Sequence, residues 1–166
     1  MAARLSRRLW LSAVAAPLLL SACGFQLRGA PSFAFRSIQL GFSPRSELGI
    51  EVRRQLVAAP DMRVVEASKD AEVVLEVFED SSDRYVTGKT STGQVREIAV
   101  RARLRFRLRT PDGRELIPET LIQPNLVLSY NESAALAKES EEAEVLREMR
   151  QDITQQLMRR LAAAKL

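Results

Sequence analysis

The 166-residue chain contains no histidine, a single cysteine at position 23 and few aromatic residues, 5% in all. Without histidine there is no imidazole to act as base in a Ser-His-Asp or Cys-His triad, or to complete a His-bearing zinc site. One thiol permits neither an internal disulfide nor a thiolate metal cluster. The arrangements left for catalysis are a carboxylate pair or a Ser-Lys dyad. Their candidates, Glu139 to Glu144 and Lys138 with Ser140, fall on a segment of helical pattern, where charge more simply makes a solvated face. Gly88-Lys89-Thr90 looks like part of a phosphate loop, but that motif needs a glycine five residues before its Gly-Lys pair, and Asp83 stands there. The chain is read as non-enzymatic, with no cofactor, no metal and no nucleic-acid partner. Long apolar runs are missing too: the stretch Leu9 to Leu20 is broken by Pro17 and falls short of the ~20 residues that cross a bilayer.

That short stretch is informative for another reason. It follows Arg4, Arg7 and Arg8 and ends in the small residues Ser21 and Ala22, the basic, apolar and small order of a secretory signal. Leu20-Ser21-Ala22-Cys23 resembles the bacterial lipobox, which implies cleavage before Cys23, a diacylglycerol on its thiol and an acyl chain on the new amine. The alternative is an ordinary signal peptide that leaves an incidental cysteine. Several chains make a durable anchor, since each buried methylene contributes about 0.8 kcal/mol and one chain alone is marginal. Gly24 stands where an aspartate would favour inner-membrane retention, so the resemblance implies transport to the outer membrane. The predicted organisation is a signal peptide over 1–22, a lipidated tether over 23–31 and one domain over 32–166. Of 25 Lys+Arg and 21 Asp+Glu, three arginines and no acid precede Cys23, which leaves 22 against 21, a balance of +1. The apparent basicity of the precursor is mostly a targeting signal.

Past the tether, Ser32 to Phe42 alternates as a first strand. Ser43-Pro44 gives a cap and first-turn proline for a helix over about 44–58, with Leu48, Val52, Leu56 and Ala59 at helical spacing. Ala71 to Asp80 alternates again, Val73, Leu75 and Val77 on one face against Glu72, Glu76 and Asp80 on the other. The polar run Ser81 to Gly93 separates it from the most regular strand, Val95 to Thr110. A turn at Pro111-Asp112-Gly113 leads to a last strand, Glu115 to Tyr130, interrupted or kinked at Pro118 and Pro124. From Glu132 to about Ala163 the period is helical, with Leu136, Val145, Met149, Ile153, Leu157 and Leu161 in one stripe beside Leu146 and Met158. Acids in its first half and Arg159, Arg160 and Lys165 at its end suit the helix dipole. The fold class predicted is α+β, with two helices on one face of a roughly four-stranded antiparallel or mixed sheet in the order β-α-β-β-β-α.

The strand Val95 to Thr110 has chemically opposite faces, because side chains alternate with period two. Val100, Ala102, Leu104, Phe106 and Leu108 face a core, and Arg101, Arg103, Arg105, Arg107 and Arg109 face away. Five guanidinium groups in a row read either as a ladder for phosphates or carboxylates, or as a solvated face paired across strands with Glu72, Glu76 and Asp80. The second reading is favoured because the acids stand on a neighbouring strand.

Cys23-Gly24-Phe25-Gln26-Leu27-Arg28-Gly29 resembles the mature start of the LptE family of lipopolysaccharide-assembly lipoproteins. Ala135-Leu136-Ala137-Lys138, followed by an acidic long helix, is similar to that family's C-terminal segment. The resemblance implies a non-enzymatic lipoprotein of the outer membrane, lipid-anchored on the periplasmic side. Such a protein plugs the β-barrel LptD, assists its assembly and binds lipopolysaccharide for delivery to the outer leaflet. It also implies that Lys138 contacts lipopolysaccharide. In the turn Ser91-Thr92-Gly93-Gln94 serine stands where relatives carry arginine, which leaves Lys89 and Arg96 as the nearby cations; Arg103, Arg105 and Arg107 form a rival basic face. The competing reading is a general periplasm-facing scaffold or transporter accessory that does not touch lipopolysaccharide.

Overall fold

The computed structural model describes residues 32–131 and 134–166. The signal peptide, the lipobox with Cys23, the tether and the helix start predicted at Glu132 lie outside the described residues.

The first strand, β1 (Ser37–Leu40), is followed by helix α1 (Glu47–Val57) and a three-residue strand β2 (Arg63–Val65). A single 3₁₀ turn, Ser68–Asp70, leads into the long strand β3 (Val73–Lys89). Then come β4 (Val95–Arg109), β5 (Glu115–Ile122), β6 (Asn125–Ser129) and the long helix α2 (Ala135–Ala163). The sheet order is β2-β1-β3-β4-β5, with β6 also paired to β4. β1 runs parallel to β2 and β3, while β4 is antiparallel to β3, β5 and β6. The parallel pair β1 and β2 needs a crossover, and α1 supplies it.

Both helices bury their apolar stripes against the same side of the sheet. Leu48, Val52 and Leu56 of α1 and Ile153, Leu157 and Leu161 of α2 share one core with Val73, Leu75, Leu104, Phe106 and Leu108. Ser46 caps α1: its Oγ accepts from Gly49 N–H at 2.7 Å and donates to Asp80 Oδ2 at 2.5 Å. The cap predicted at Ser43 therefore lies three residues further on. Ser43-Pro44-Arg45 instead makes the preceding turn, closed by Ser46 N–H on the Ser43 carbonyl at 3.0 Å. At Gly41, whose N–H donates to the Leu75 carbonyl at 2.8 Å, a side-chain carbon would stand only 2.8 Å from that same oxygen. Only glycine lets β1 leave β3 this closely.

The fold class is α+β as predicted and the sheet is mixed, one of the two arrangements expected, but it has six strands where roughly four were expected. β2 is too short to show an alternation. The last predicted strand divides at Pro124 into β5 and β6, which pair with successive stretches of the same edge of β4. The polar run from Ser81 continues β3 as far as Lys89, every residue of it but Thr87 paired with β4. Conversely, the first strand shrinks to four residues, and Leu136, predicted in the apolar stripe of α2, is 81% exposed. The buried part of that stripe begins at Val145.

On the β3 side, the β3–β4 hairpin outruns its neighbour in the sheet. β1 accompanies β3 only as far as Leu75, so among the described residues no strand pairs with the other edge of β3 from Val77 to Lys89. At its tip Gly93 takes φ +84°, Thr90 N–H donates to the Gln94 carbonyl at 2.8 Å, and Gly93 N–H to the Thr90 carbonyl at 3.0 Å.

Candidate functional site

Two basic regions stand out on this frame, and their electrostatics differ. The first is the β4 face turned away from the helices. A β-bulge between Val77 and Glu79 adds one residue to β3, so the side-chain alternation inverts beyond it. Glu79, Ser81 and Asp83 thereby come opposite Arg105, Arg103 and Arg101, whereas Asp80 turns to the helix side, where it meets Ser46. Of the acids predicted to pair with the ladder, only Glu76 does so. Glu72 accepts instead from the backbone N–H of Arg36 at 2.8 Å.

The pairing acids are Glu76, Glu79 and Asp83 of β3, with Glu115 and Glu119 of β5. Arg109 and Arg107 reach opposite oxygens of Glu76 at 2.6 and 2.5 Å. Arg101 and Arg103 reach Asp83 at 2.7 and 2.9 Å, and Arg105 reaches Glu119 at 3.0 Å. Arg103 Nε lies 3.1 Å from Glu79, yet its N–H does not point at that carboxylate, so this contact is electrostatic and the directed bond is the one to Asp83. Phe78, the extra residue of the bulge, lies under Arg105 and Arg107 at 5.9 and 5.6 Å, and Tyr85 under Arg101 at 5.0 Å. Arg103, Arg105 and Arg107 thus face carboxylates and aromatic rings already.

These contacts shift the acids. Hydrogen bonds from Arg109, then Arg107, hold the Glu76 carboxyl below its usual range, and the bond from Arg101 does the same to Asp83. A carboxylate whose folded pKa is depressed stabilises the fold above its unfolded pKa, near 4.3 for Glu and 3.9 for Asp. That contribution disappears as pH falls through the lower folded value. The thermal midpoint should therefore stay level from neutral pH to about pH 5 and fall below about pH 4. The Glu76→Gln variant, scanned by differential calorimetry, should fall less steeply; an acid limb identical to that of the unaltered protein would show that these contacts do not govern it.

The second region is the far end of the hairpin, where the three cations singled out in the sequence are brought to one end of the sheet. Lys89 ends β3 directly opposite Val95, and Arg96 follows Val95 on β4. The Arg96 carbonyl accepts from Tyr130 N–H at 2.7 Å, which holds the end of β6 beside it. Lys138, on the first turn of α2, reaches back to Ser129 Oγ at 3.3 Å and pairs with Glu141 at 2.7 Å. Lys89 and Arg96 are exposed, and among the described residues neither has a carboxylate partner within ion-pair distance. A fourth cation, Arg84, which the sequence reading passed over as part of the polar run after Asp80, stands on β3 and pairs with Glu142 of α2 at 3.1 Å. The distal end can offer unpaired positive charge where the ladder cannot.

No helix among the described residues is long and apolar enough to cross a membrane. In fold, the chain is similar to lipoprotein B from Nitrosomonas europaea, with a TM-score of 0.71 at 24% identity over 84% of this chain and 91% of that one. It is also similar to the rare lipoprotein B from Shewanella oneidensis, TM-score 0.64 at 26% identity over 76% and 94%, and to a minor lipoprotein from Acinetobacter baumannii, TM-score 0.63 at 18% over 81% and 97%. Comparison with the curated proteins gives no match. The model of the LptE lipopolysaccharide-assembly family matches residues 35–161. That span takes in all six strands, α1 and nearly all of α2, and the chain belongs to the LptE lipopolysaccharide-assembly family.

Proposed function

We propose that the chain is an outer-membrane lipoprotein that plugs an LptD-type β-barrel, assists the assembly of that barrel and binds lipopolysaccharide on its way to the outer leaflet. A signal peptide over 1–22 is removed, and Cys23 carries a diacylglycerol and an N-acyl chain that hold the 32–166 domain at the periplasmic side of the membrane. The role is non-enzymatic. The family match over residues 35–161 carries this reading.

The physical character of the molecule supports it. A plug needs a polar exterior that can meet a polar barrel lumen, and the face of the sheet opposite the helices is a lattice of arginines and carboxylates. Tethering to the membrane that holds the barrel raises the effective concentration of each for the other. For the ligand, phosphates call for cations whose charge is not already neutralised. Lys89 and Arg96 meet that condition, and Lys138 stands beside them.

Purification of the C-terminally tagged, full-length protein from detergent-solubilised outer membranes should recover one dominant large β-barrel near a one-to-one ratio. Recovery of the protein alone, or with inner-membrane transporter subunits, would favour the general-scaffold reading instead.

A further inference from the structure

Beside the distal cations the protein surface opens into a notch of about 280 Å³, lined by Arg84, Tyr85, Val86, Val95, Ile98 and Tyr130. Five of these six side chains are aliphatic or aromatic. The opening has a plain structural origin. α1 begins at Glu47, beside Asp80, so further along β3, among the described residues, only α2 remains to cover the helix side of the hairpin. Val86, which pairs with the buried Ile98, is left 46% exposed, while Val95 and Tyr130 pack against the margin of the core.

One cation lines the notch, and two more stand next to a lining residue. Lys89 is the ladder partner of Val95, Arg96 is its chain neighbour, and Arg84 lines the notch itself. Among the described residues, nearby carboxylates include Glu142, paired with Arg84, Glu141, paired with Lys138, and Glu97, which crowds Gly88 across the ladder. We propose that this notch takes one acyl chain of an anionic amphiphile, the alkyl tail against Val86, Val95, Ile98 and Tyr130 and the charged head on Lys89 and Arg96. The inference deepens the lipopolysaccharide-binding reading and rests on it for the identity of the natural ligand. Apolar walls bounded by a few converging charges are what a single-tailed anion requires, because burial of the tail supplies the affinity and the charges fix its orientation. At about 30 Å³ per methylene, close to the share of a water molecule, a notch of 280 Å³ holds roughly nine of them.

The test uses the full-length protein and alkyl phosphates of increasing length, butyl, octyl and dodecyl, each below its micellar concentration, with dodecyl maltoside as the neutral counterpart. Calorimetric titration should give affinity that rises from butyl to octyl by about two- to fourfold per methylene and levels off by dodecyl, where the notch is full. Dodecyl maltoside should bind at least tenfold more weakly than dodecyl phosphate. Val86→Gln, at a half-exposed position that leaves the core closed, should flatten the dependence on chain length while butyl phosphate binds as before. Lys89→Gln should weaken the whole phosphate series equally and leave the slope unchanged. A flat series, or a slope untouched by Val86→Gln, overturns the proposal. The two readings fail separately. A rising alkyl series with no binding of lipopolysaccharide itself would remove lipopolysaccharide as the ligand and leave the acyl notch; lipopolysaccharide binding with a flat series would remove the notch alone.

Discussion

The Phe106→Ala variant is expected to lose about 3–5 kcal/mol of stability, the range for emptying a fully buried aromatic position. Phe106 is fully buried on the central strand, opposite Val77 of β3 and Thr120 of β5, in the core shared by both helices. The sheet is irregular on both sides of it, with the register shifting after Val77 in β3 and between Phe106 and Leu108 in the β5 ladder. Domains of this size are stable by only about 5–15 kcal/mol, so the loss removes a large share of the whole. Urea unfolding followed by circular dichroism measures it. Leu136→Ala provides the contrast: at 81% exposure it should change stability by no more than about 0.5 kcal/mol. A Phe106→Ala cost below 1 kcal/mol would mean that the core is not centred on this strand.

The second large effect concerns the distal cations. Replacing Lys89, Arg96 and Lys138 together by glutamate should weaken lipopolysaccharide binding by about two orders of magnitude, with an unchanged circular dichroism spectrum. The size follows from about 1 kcal/mol for each exposed charge contact, three of which are lost. The fold should tolerate the change because Lys89 and Arg96 are exposed, and Lys138 is held only by Ser129 and Glu141. The same assay on Arg103, Arg105 and Arg107 replaced by glutamine separates the two basic regions. These arginines are matched by Glu76, Glu79, Asp83, Glu115 and Glu119, so their loss should lower stability while binding at the hairpin end persists. Unaltered binding by the triple glutamate variant would sink the assignment of these three residues.

Where the chain obeys one period for long enough, its structure was legible in the sequence. The alternation of Val100 to Arg109 and the helical stripe from Val145 to Leu161 both place their apolar side in the core. What stayed hidden depends on events of a single residue. One extra residue at the bulge after Val77 carries Asp80 to the helix side and Asp83 to the arginines, and nothing in the local composition marks it. Likewise Ser81 to Lys89 reads as a polar break between strands because only Tyr85 and Val86 interrupt its polar residues. They form a strand because β4 offers a ladder, so tertiary pairing overrides propensity. The site followed the same rule. Lys138 was singled out as a candidate by a motif, and Lys89 and Arg96 by their nearness to a turn. Arg84 and the apolar lining were not, because they meet only through the register of β3 on β4.

The side of β3 from Val77 to Lys89 that pairs with no strand among the described residues also bears on how the protein behaves before it meets any partner. Such a row of unpaired amides and carbonyls is a template for another chain, and edge strands of this length invite self-association unless something spoils the match. Here the spoilers are built into the strand. Register irregularities at Val77/Glu79 and from Val86 to Lys89 twist it away from a flat template, and Glu79, Asp80, Asp83, Arg84 and Lys89 spread charge along both of its faces. The polarity that broke the strand pattern in this stretch therefore works against pairing of one hairpin edge with another, at a place where its charges contribute little to the core.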